Sequence, residues 1–286
     1  MKFILPEVLH QIAEKEGFQL QNASTLSGGD INETYLLTTP ENKLVIKLNK
    51  ADHFPEMFKK EALGLKKLSA ANALRIPKVF GYGAIQNETY LLLEYLPTAS
   101  KKENFWLNFA EGLAKQHQVS QSTFGLKEDN YIGSLPQYNI CKITNAAEFY
   151  IEKRLEPQFQ LAAKNGFSFQ NLNRFYQNIA ELIPKEQPSL IHGDLWNGNY
   201  LVDEFGNPAL IDPATCFAPR EMDLAMMHLF GGFPAEVFQN YEEIFPLENQ
   251  WKKRIPLWQL YYLLVHLNLF GRGYLASVEN ILRKFS

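Results

Sequence analysis

The chain has few cysteines and no marked excess of charge of either sign, and each of these features excludes a class of protein. Its two cysteines, Cys141 and Cys216, cannot form a disulfide framework and lie in no Cys/His cluster, which argues against a zinc site. The 28 basic and 31 acidic residues give a net charge of −3. Electrostatics therefore gives no reason to expect nucleic acid as a partner.

Long uninterrupted apolar segments are also missing. The longest apolar stretch, 257–270, contains Gln259, His266 and Asn268 and predicts a buried helix rather than a membrane span. Near the amino terminus, Pro6 and Glu7 interrupt the apolar residues before the core of a signal peptide could form. Together with two cysteines expected to stay reduced, this predicts a cytoplasmic protein with no membrane partner.

The order of the local patterns predicts two lobes. Hydrophobic residues make up 46% and charged residues 21% of the 286 residues, which is typical of a globular chain. Alternating segments predict strands at 18–27, 33–38, 43–48, 79–82 and 90–94, and helical spacing predicts helices at 5–16, 54–70, 103–119, 145–164, 169–183, 221–230, 234–243 and 249–283. The segment 120–139 is predicted to be a loop.

Because the strands precede most of the helices, the fold class predicted is α+β. Residues 1–96 would form a small lobe with an antiparallel sheet and one main helix. Residues 97–286 would form a larger, mostly helical lobe, and the site would lie in the cleft between the two.

The polar loop 192–199 carries the clearest functional pattern. Asp194 and Asn199 are five positions apart, and Asp212 follows thirteen positions later, directly after the apolar segment 208–211. A phosphotransferase needs such a set, in which one carboxylate takes the proton of a substrate hydroxyl. An amide and a second carboxylate then hold Mg²⁺ against the phosphates of ATP. We predict Asp194 as the catalytic base and Asn199 with Asp212 as metal ligands, and we expect His192 to be structural.

A second pattern places a lysine at the end of an apolar strand. Lys47 follows Leu44-Val45-Ile46, and an inward-facing ammonium at such a position needs a charged partner. Glu61 in the following helix shares the inward register of Phe58 and is preferred to Glu56 as that partner. The pair is typical of kinases, whose lysine contacts the α- and β-phosphates of the nucleotide. Taken alone, Lys47 would more often be a surface residue.

Two weaker patterns concern the nucleotide. Gly28 and Gly29 lie between the first two predicted strands, where backbone amides could cover phosphates, although a plain hairpin turn explains them nearly as well. Glu94, Tyr95 and Leu96 follow an apolar strand at the junction of the lobes. Their backbone could pair with the adenine edge, or they could form a simple linker.

Two further residues flank the predicted base. Trp196 could stack on a sugar or face a cationic amine, with packing in the core as the competing interpretation. Asp223 begins a helix and could cap it or hold the catalytic loop. We interpret Asp223 as structural support.

With these residues placed, the chain resembles the fructosamine kinase (ketosamine-3-kinase) family, within the protein-kinase-like and aminoglycoside-phosphotransferase-like superfamily. The resemblance covers nearly the whole chain. The segments that carry it are 28–32 (GGDIN), 45–47 (VIK), 131–137 (YIGSLPQ), 192–199 (HGDLWNGN), 210–214 (LIDPA), 220–225 (REMDLA), 229–234 (LFGGFP) and 269–274 (LFGRGY).

The resemblance implies a two-lobed protein-kinase-like fold and a specific reaction. That reaction is the ATP- and Mg²⁺-dependent phosphorylation of the 3-hydroxyl of a ketosamine, a sugar joined to an amine by glycation. The phosphorylated product is unstable and frees the amine, so the family is regarded as repairing glycated amines and proteins. The resemblance also implies Asp194 as proton acceptor, Asn199 and Asp212 as metal ligands, Lys47 with Glu61 as phosphate clamp, and 94–96 as adenine hinge.

Two alternatives remain at this point. A kinase for another small alcohol, such as an aminoglycoside or a choline-like metabolite, would use the same chemistry with a different acceptor pocket. A non-catalytic nucleotide-binding pseudokinase would need a broken set of site residues, and here the set is complete. Gly193 stands where protein kinases have the arginine that reads a phosphorylated loop, so we hypothesise a site that forms without phosphorylation.

Overall fold

The amino-terminal lobe is built on a five-stranded antiparallel sheet. The computed structural model describes residues 6–26 and 32–286 of the chain. The strands are β1 (Asn22–Thr25), β2 (Glu33–Thr38), β3 (Lys43–Lys50), β4 (Val79–Ile85) and β5 (Glu88–Glu94). They lie in the order β1-β2-β3-β5-β4, so the first three form the expected meander and β3 is central.

The alternation of side chains along β3 gives the sheet two different faces. Ile46 packs on one face with helix α1 (Glu7–Glu16), and Val45 packs on the other face with helix α2 (Met57–Ala70). Successive side chains of a strand point to opposite faces, so Lys47 shares the face of Val45. The strand thus directs the ammonium of Lys47 towards α2 and the second lobe.

The carboxy-terminal lobe is mostly helical. Its helices are α3 (Phe105–His117), α4 (Ala146–Tyr150), α5 (Glu156–Lys164), α6 (Leu172–Leu182), α7 (Glu221–Leu229), α8 (Ala235–Ile244), α9 (Trp251–Phe270) and α10 (Leu275–Phe285). A single π-helical turn, Ile151–Leu155, joins α4 to α5. The helical pattern predicted over 249–283 is divided in two, because Gly271 adopts φ 84° and ψ −158° and ends α9.

Three short strand pairs complete the second lobe. They are the hairpin β6 (Asn130–Ile132) with β7 (Leu135–Gln137), the pair β8 (Ser189–Ile191) with β11 (Cys216–Ala218), and the pair β9 (Tyr200–Val202) with β10 (Pro208–Leu210). The prediction of a plain loop over 120–139 is therefore wrong for the hairpin. Its strands are only three residues long, too short for a recognisable alternation. The other two pairs present the loops that carry the predicted site.

One apolar cluster joins the two lobes. Phe58 and Leu65 of α2 and Leu91 of β5 pack in the same cluster as Leu190 and Leu210 of the second lobe. The α+β class and the two-lobed, protein-kinase-like architecture are confirmed. The division at residue 97 stays a prediction, and it falls in the segment between the end of β5 and the start of α3. In residues 6–26 and 32–286, none of the helices is sufficiently long and apolar to cross a bilayer.

Candidate active site

The loop between β8 and β9 brings together the residues predicted for catalysis. The amide Nδ2 of Asn199 donates to the backbone oxygen of Asp194 at 2.8 Å and to its carboxylate Oδ2 at 3.1 Å. The same amide lies 3.4 Å from the backbone oxygen of Asp212. The three predicted residues therefore meet at one point, where the strand pairs β8–β11 and β9–β10 end.

Asp212 adopts a conformation that few non-glycine residues use. Its φ is 55°, in the left-handed region that aspartate and asparagine tolerate better than most side chains. The carboxylate Oδ1 of Asp212 accepts a hydrogen bond from Lys47 Nζ at 2.6 Å. The turn after β10 thus directs the Asp212 side chain across the cleft to the first lobe.

The predicted lysine–glutamate pair is also formed. Lys47 Nζ lies 2.8 Å from Glu61 Oε1, and the Lys47 side chain is only 8% exposed. Burial lowers the pKa of Lys47, but the charges of Asp212 and Glu61 more than offset it and hold this pKa above its ordinary value. Two carboxylates thus contact this one ammonium. Burial raises the pKa of Glu61, while the charge of Lys47 opposes that increase.

A cavity of about 960 Å³ lies between the lobes and joins these groups. Lys47, Glu61, Asp194, Asn199 and Asp212 all line it. Burial raises the pKa of the Asp194 carboxyl to about 7, with smaller increases from the charges of Asp212 and Asp223 and a decrease from the Asn199 hydrogen bond. A carboxylate with a raised pKa is a stronger proton acceptor, which suits a catalytic base.

The residues predicted for adenine lie apart from this cavity. Glu94, Tyr95 and Leu96 are not among the described residues that line it. The Glu94 side chain instead accepts from Arg75 Nη2 at 2.9 Å and from the backbone nitrogen of Lys78 at 3.1 Å. The hinge role of their backbone stays a prediction. The other nucleotide residues predicted, Gly28 and Gly29, lie outside the described residues.

His192 holds the loop and is not free to act as a base. Its Nε2–H donates to the backbone oxygen of Ile211 at 2.8 Å, and its Nδ1 accepts from the Asp194 nitrogen at 3.3 Å. Burial lowers the pKa of His192, which keeps the ring neutral near pH 7. The following Gly193 has φ 85°, and a Cβ there would lie 2.1 Å from the Ala214 backbone oxygen. This contact explains why a glycine stands where protein kinases have arginine.

Asp223 holds the start of the same loop in place. Its fully buried carboxylate accepts from the backbone nitrogens of His192 at 2.7 Å and Gly193 at 2.8 Å. The Nε2–H of His117 donates to it at 3.1 Å. The structural interpretation of Asp223 agrees with these contacts, which hold the loop rather than cap the helix.

Replacing Asp223 with Ala is expected to lower both stability and activity. The change leaves three buried donors without an acceptor, each at a cost of about 1–3 kcal/mol, so the free energy of unfolding should fall by about 3 kcal/mol or more. The values come from urea titration and from initial rates. The matched control is Asp203→Ala, because the buried Asp203 accepts two backbone N–H groups in the β9–β10 turn, away from the cavity. It should lower stability alone, and an unchanged rate in the Asp223 variant would contradict the assignment.

The β6–β7 hairpin is the part of the site that the sequence pattern missed. The side chains of Asn130 and Gln137 donate to the backbone oxygens of Thr215 at 2.9 Å and Ala214 at 3.0 Å. These carbonyls belong to the segment directly after Asp212, so the hairpin fixes the backbone that carries the predicted metal ligand. The segment 131–137 was visible in the sequence as a family motif, but nothing local assigned it a role.

The hairpin also reaches the first lobe. The Tyr131 hydroxyl donates to the backbone oxygen of Pro55 at 2.9 Å, just before α2 begins. The ammonium of Lys60, on α2, lies 5.2 Å from the centre of the Tyr131 ring. Because α2 carries Glu61, one hairpin contacts both the helix of the lysine partner and the loop of the metal ligand.

Trp196 lies at the mouth of the cavity. The residue is 39% exposed, and its ring meets that of Phe230 edge-on, with centroids 6.4 Å apart. Both residues line the cavity. At this exposure Trp196 does not pack in the core, and its role towards a substrate stays a prediction.

The chain is similar to several known proteins over nearly its whole length. The profile of the family described as Fructosamine kinase matches residues 5–286. A probable ketoamine kinase of Synechocystis sp. is 37% identical over 97% of this chain and 95% of its own length. A proposed fructosamine-3-kinase from Haemophilus somnus, at 29% identity, superposes with a TM-score of 0.87 over 97% of this chain and 96% of its own. The aminoglycoside phosphotransferase APH(4)-Ia shares the fold, with a TM-score of 0.63 at 17% identity over 98% of both chains. The chain belongs to the fructosamine kinase family.

Proposed function

We propose that this chain transfers the γ-phosphate of ATP to the 3-hydroxyl of a ketosamine, as part of the repair of glycated amines. The observation that carries the proposal is the meeting of Asp194, Asn199 and Asp212 with the Lys47–Glu61 pair in one interlobe cavity. Membership of the family supplies the substrate class. An aminoglycoside or choline-like acceptor has no comparable support.

In this proposal, Asp194 orients the acceptor alcohol and takes its proton. Asn199 engages Oδ2 of the carboxylate, and no residue in the described part of the chain donates to Oδ1. Oδ1 can therefore accept the hydrogen bond of the sugar hydroxyl. The proton moves to the carboxylate as the oxygen–phosphorus bond forms, and the γ-phosphoryl group leaves the β-phosphate oxygen.

The residues present fit a magnesium ion. The Nδ2 group of Asn199 is occupied by Asp194, which leaves its Oδ1 for a metal. Lys47 binds Oδ1 of Asp212, which leaves Oδ2. Neutral and charged oxygens of this kind are the ligands that Mg²⁺ takes together with phosphate oxygens. The ion would neutralise charge on the transferring phosphates, while Lys47, held by Glu61, would bind the nucleotide phosphates.

Trp196 would bind the acceptor at the mouth of the cavity. Its exposed ring can stack on a sugar or face the positively charged amine of a ketosamine. The mouth is open to solvent at this point, so the amine could belong to a free metabolite, a peptide or a protein.

A panel of ketosamines tests the proposed function. Ketosamines made from ribose, erythrose and glucose, each on a small amine and on a protein lysine, are incubated with Mg·ATP, and phosphate transfer is followed by ³¹P NMR. We expect transfer to at least one of these acceptors and release of free amine afterwards. Aminoglycosides and choline serve as competing acceptors. Faster transfer to one of them, or binding of Mg·ATP without turnover on any acceptor, would contradict the proposal.

A further inference from the structure

Five aromatic rings form one contiguous group in the wall of the interlobe cavity. They belong to residues that all line it: Trp196, Phe230, His266, Phe270 and Tyr274. The imidazole of His266 lies at the centre of the group, with its centroid 5.0 Å from Phe230, 5.5 Å from Phe270 and 5.1 Å from Tyr274. Phe230 in turn contacts Trp196. We call these five residues the aromatic rim.

The aromatic rim is accessible although it is largely apolar. Phe230 is 41% and Phe270 is 56% exposed, and His266 and Tyr274 are half-buried. Aromatic side chains that stay exposed together in the wall of a cavity are typical of a surface that binds a ligand. A molecule in the cavity can therefore contact these rings.

His266 adds a polar atom to these apolar surroundings. Its Nδ1 contacts the backbone oxygen of Tyr262 at 2.8 Å, and Nδ1 carries the proton because a carbonyl oxygen can only accept. Burial lowers the pKa of His266, so the ring is neutral near pH 7 and Nε2 keeps a lone pair. Within residues 6–26 and 32–286, Nε2 has no hydrogen-bond partner, and it is not one of the enclosed side-chain atoms that lack one. Nε2 is therefore an open hydrogen-bond acceptor.

The rim contains no acidic side chain. In the part of the chain that the structure describes, the acidic residues lining the cavity are Glu61, Asp194 and Asp212, and Lys47 contacts two of them. A cation at the rim would therefore meet ring faces and the lone pair of Nε2. Aromatic faces attract substituted ammonium groups, and the neutral acceptor can take a hydrogen bond from their N–H. This combination suits a protonated amine that carries an alkyl substituent.

The rim begins beside the catalytic loop and extends away from it. The backbone nitrogen of Trp196 donates to the backbone oxygen of Asp194 at 3.1 Å. The charge of Asp194 adds to the raised pKa of Tyr262 but has no such effect on His266, one helical turn later. His266 therefore lies farther from the base than Tyr262 does. In an extended ketosamine, three carbons separate the nitrogen from the 3-hydroxyl, a distance of about 5 Å. The amine thus lies beyond the base when the hydroxyl contacts it.

We propose that the aromatic rim is the subsite for the protonated amine of the acceptor. His266 Nε2 accepts a hydrogen bond from the amine N–H, and the surrounding rings face its charge. The proposal rests on the proposed function for the identity of the acceptor, and it names the part of the acceptor that the chain recognises. It makes His266 a specificity-determining residue. Lys47 approaches the nucleotide from the first lobe, so His266 should have no effect on KM for ATP.

Two acceptors that differ in charge but hardly in shape test the proposal. One is the ketosamine of methylamine, and the other is the 1-O-methyl ether of the same ketose, which keeps the 3-hydroxyl. The ratio of their kcat/KM values is the amine preference. We expect the wild type to prefer the amine by about 10–100-fold, the range that corresponds to a hydrogen bond with a charged group.

His266→Phe keeps an aromatic ring and removes the lone pair. We expect the amine preference to fall by about tenfold, with kcat/KM for the ether and KM for ATP unchanged. His266→Gln supplies an amide oxygen as acceptor and should retain most of the preference. Melting temperatures confirm that both variants are folded.

His228→Phe is the matched control. His228 lies on α7, and its ring stacks on that of Phe238 with centroids 3.8 Å apart, but it does not line the cavity. The same substitution there should leave the amine preference and the ATP kinetics unchanged. Three results would each contradict the role of His266: an unchanged preference in His266→Phe, an equal loss on the ether, or a loss in His266→Gln as large as in His266→Phe.

The two proposals fail in different ways. If the wild type phosphorylates the ketosamine and its ether equally well, the amine subsite is wrong and the proposed transfer stands. If the wild type prefers another alcohol that carries an amine, the proposed function is wrong, and the same comparison with that alcohol and its ether analogue decides the role of His266. A preferred alcohol without an amine would overturn both proposals.

Discussion

Asp194→Asn is expected to lower kcat by about 10²–10⁴-fold, which is the contribution typical of a positioned general base. The substitution keeps the shape of the side chain, and its oxygen can still accept the hydrogen bond that Asn199 donates. It removes the group that takes the proton of the alcohol. Binding of Mg·ATP should change little, because the base contacts the acceptor and the nucleotide is held from the opposite wall.

Stability gives a second measurement on the same variant. Burial disfavours the charged form of Asp194, as the raised pKa of about 7 shows. The neutral amide avoids this cost above pH 7, so the melting temperature at pH 8 should stay the same or rise. A loss of activity in a variant that folds normally is then due to the chemistry and not to unfolding. Near-normal transfer to a ketosamine by folded Asp194→Asn protein would show that another group accepts the proton.

Asp212→Asn is expected to have an effect on kcat of similar size, with a different signature. Asparagine tolerates the left-handed conformation of this residue, so the turn after β10 should remain intact. The change removes one of the two negative charges beside Lys47 and weakens a ligand proposed for Mg²⁺. Initial rates measured over a series of Mg²⁺ concentrations should show a higher concentration at half-maximal rate and a kcat about 10²–10³-fold lower.

Glu61→Gln is the informative comparison for this prediction. This substitution removes the other carboxylate that contacts Lys47. Glu61 Oε1 lies 2.8 Å from Lys47 Nζ, close to the 2.6 Å between Asp212 Oδ1 and the same nitrogen. Each variant therefore removes one of the two carboxylates beside the lysine. Only Asp212 is a proposed metal ligand, so only its variant should change the Mg²⁺ dependence. The same Mg²⁺ dependence in both variants would indicate that Asp212 acts through Lys47 alone.

The sequence was informative where the function depends on local patterns. The strand alternation that points Ile46 towards α1 places Lys47 on the opposite face, towards α2. The helical spacing of α2 directs Glu61 inward. The pair predicted from these two periodicities is the pair the structure contains. The fixed spacing of Asp194, Asn199 and Asp212 indicated a phosphotransferase for a similar reason, because short loops between paired strands hold these residues in register.

The residues that the sequence did not reveal depend on contacts between distant parts of the chain. Gln137 contributes through a carbonyl 77 positions later, and no local pattern marks such a partner. The break at Gly271 was missed because the apolar spacing continues on both sides of it.

The β6–β7 hairpin suggests how the activity of this enzyme is governed. Protein kinases often depend on a reversible modification to bring the helix glutamate and the metal-binding loop into place. Here Tyr131 holds the start of α2, while Asn130 and Gln137 hold the backbone after Asp212. The hairpin thus holds both parts through contacts within the unmodified chain. We therefore expect the kinase to be active without an upstream signal, so that the supply of its acceptor would set its turnover.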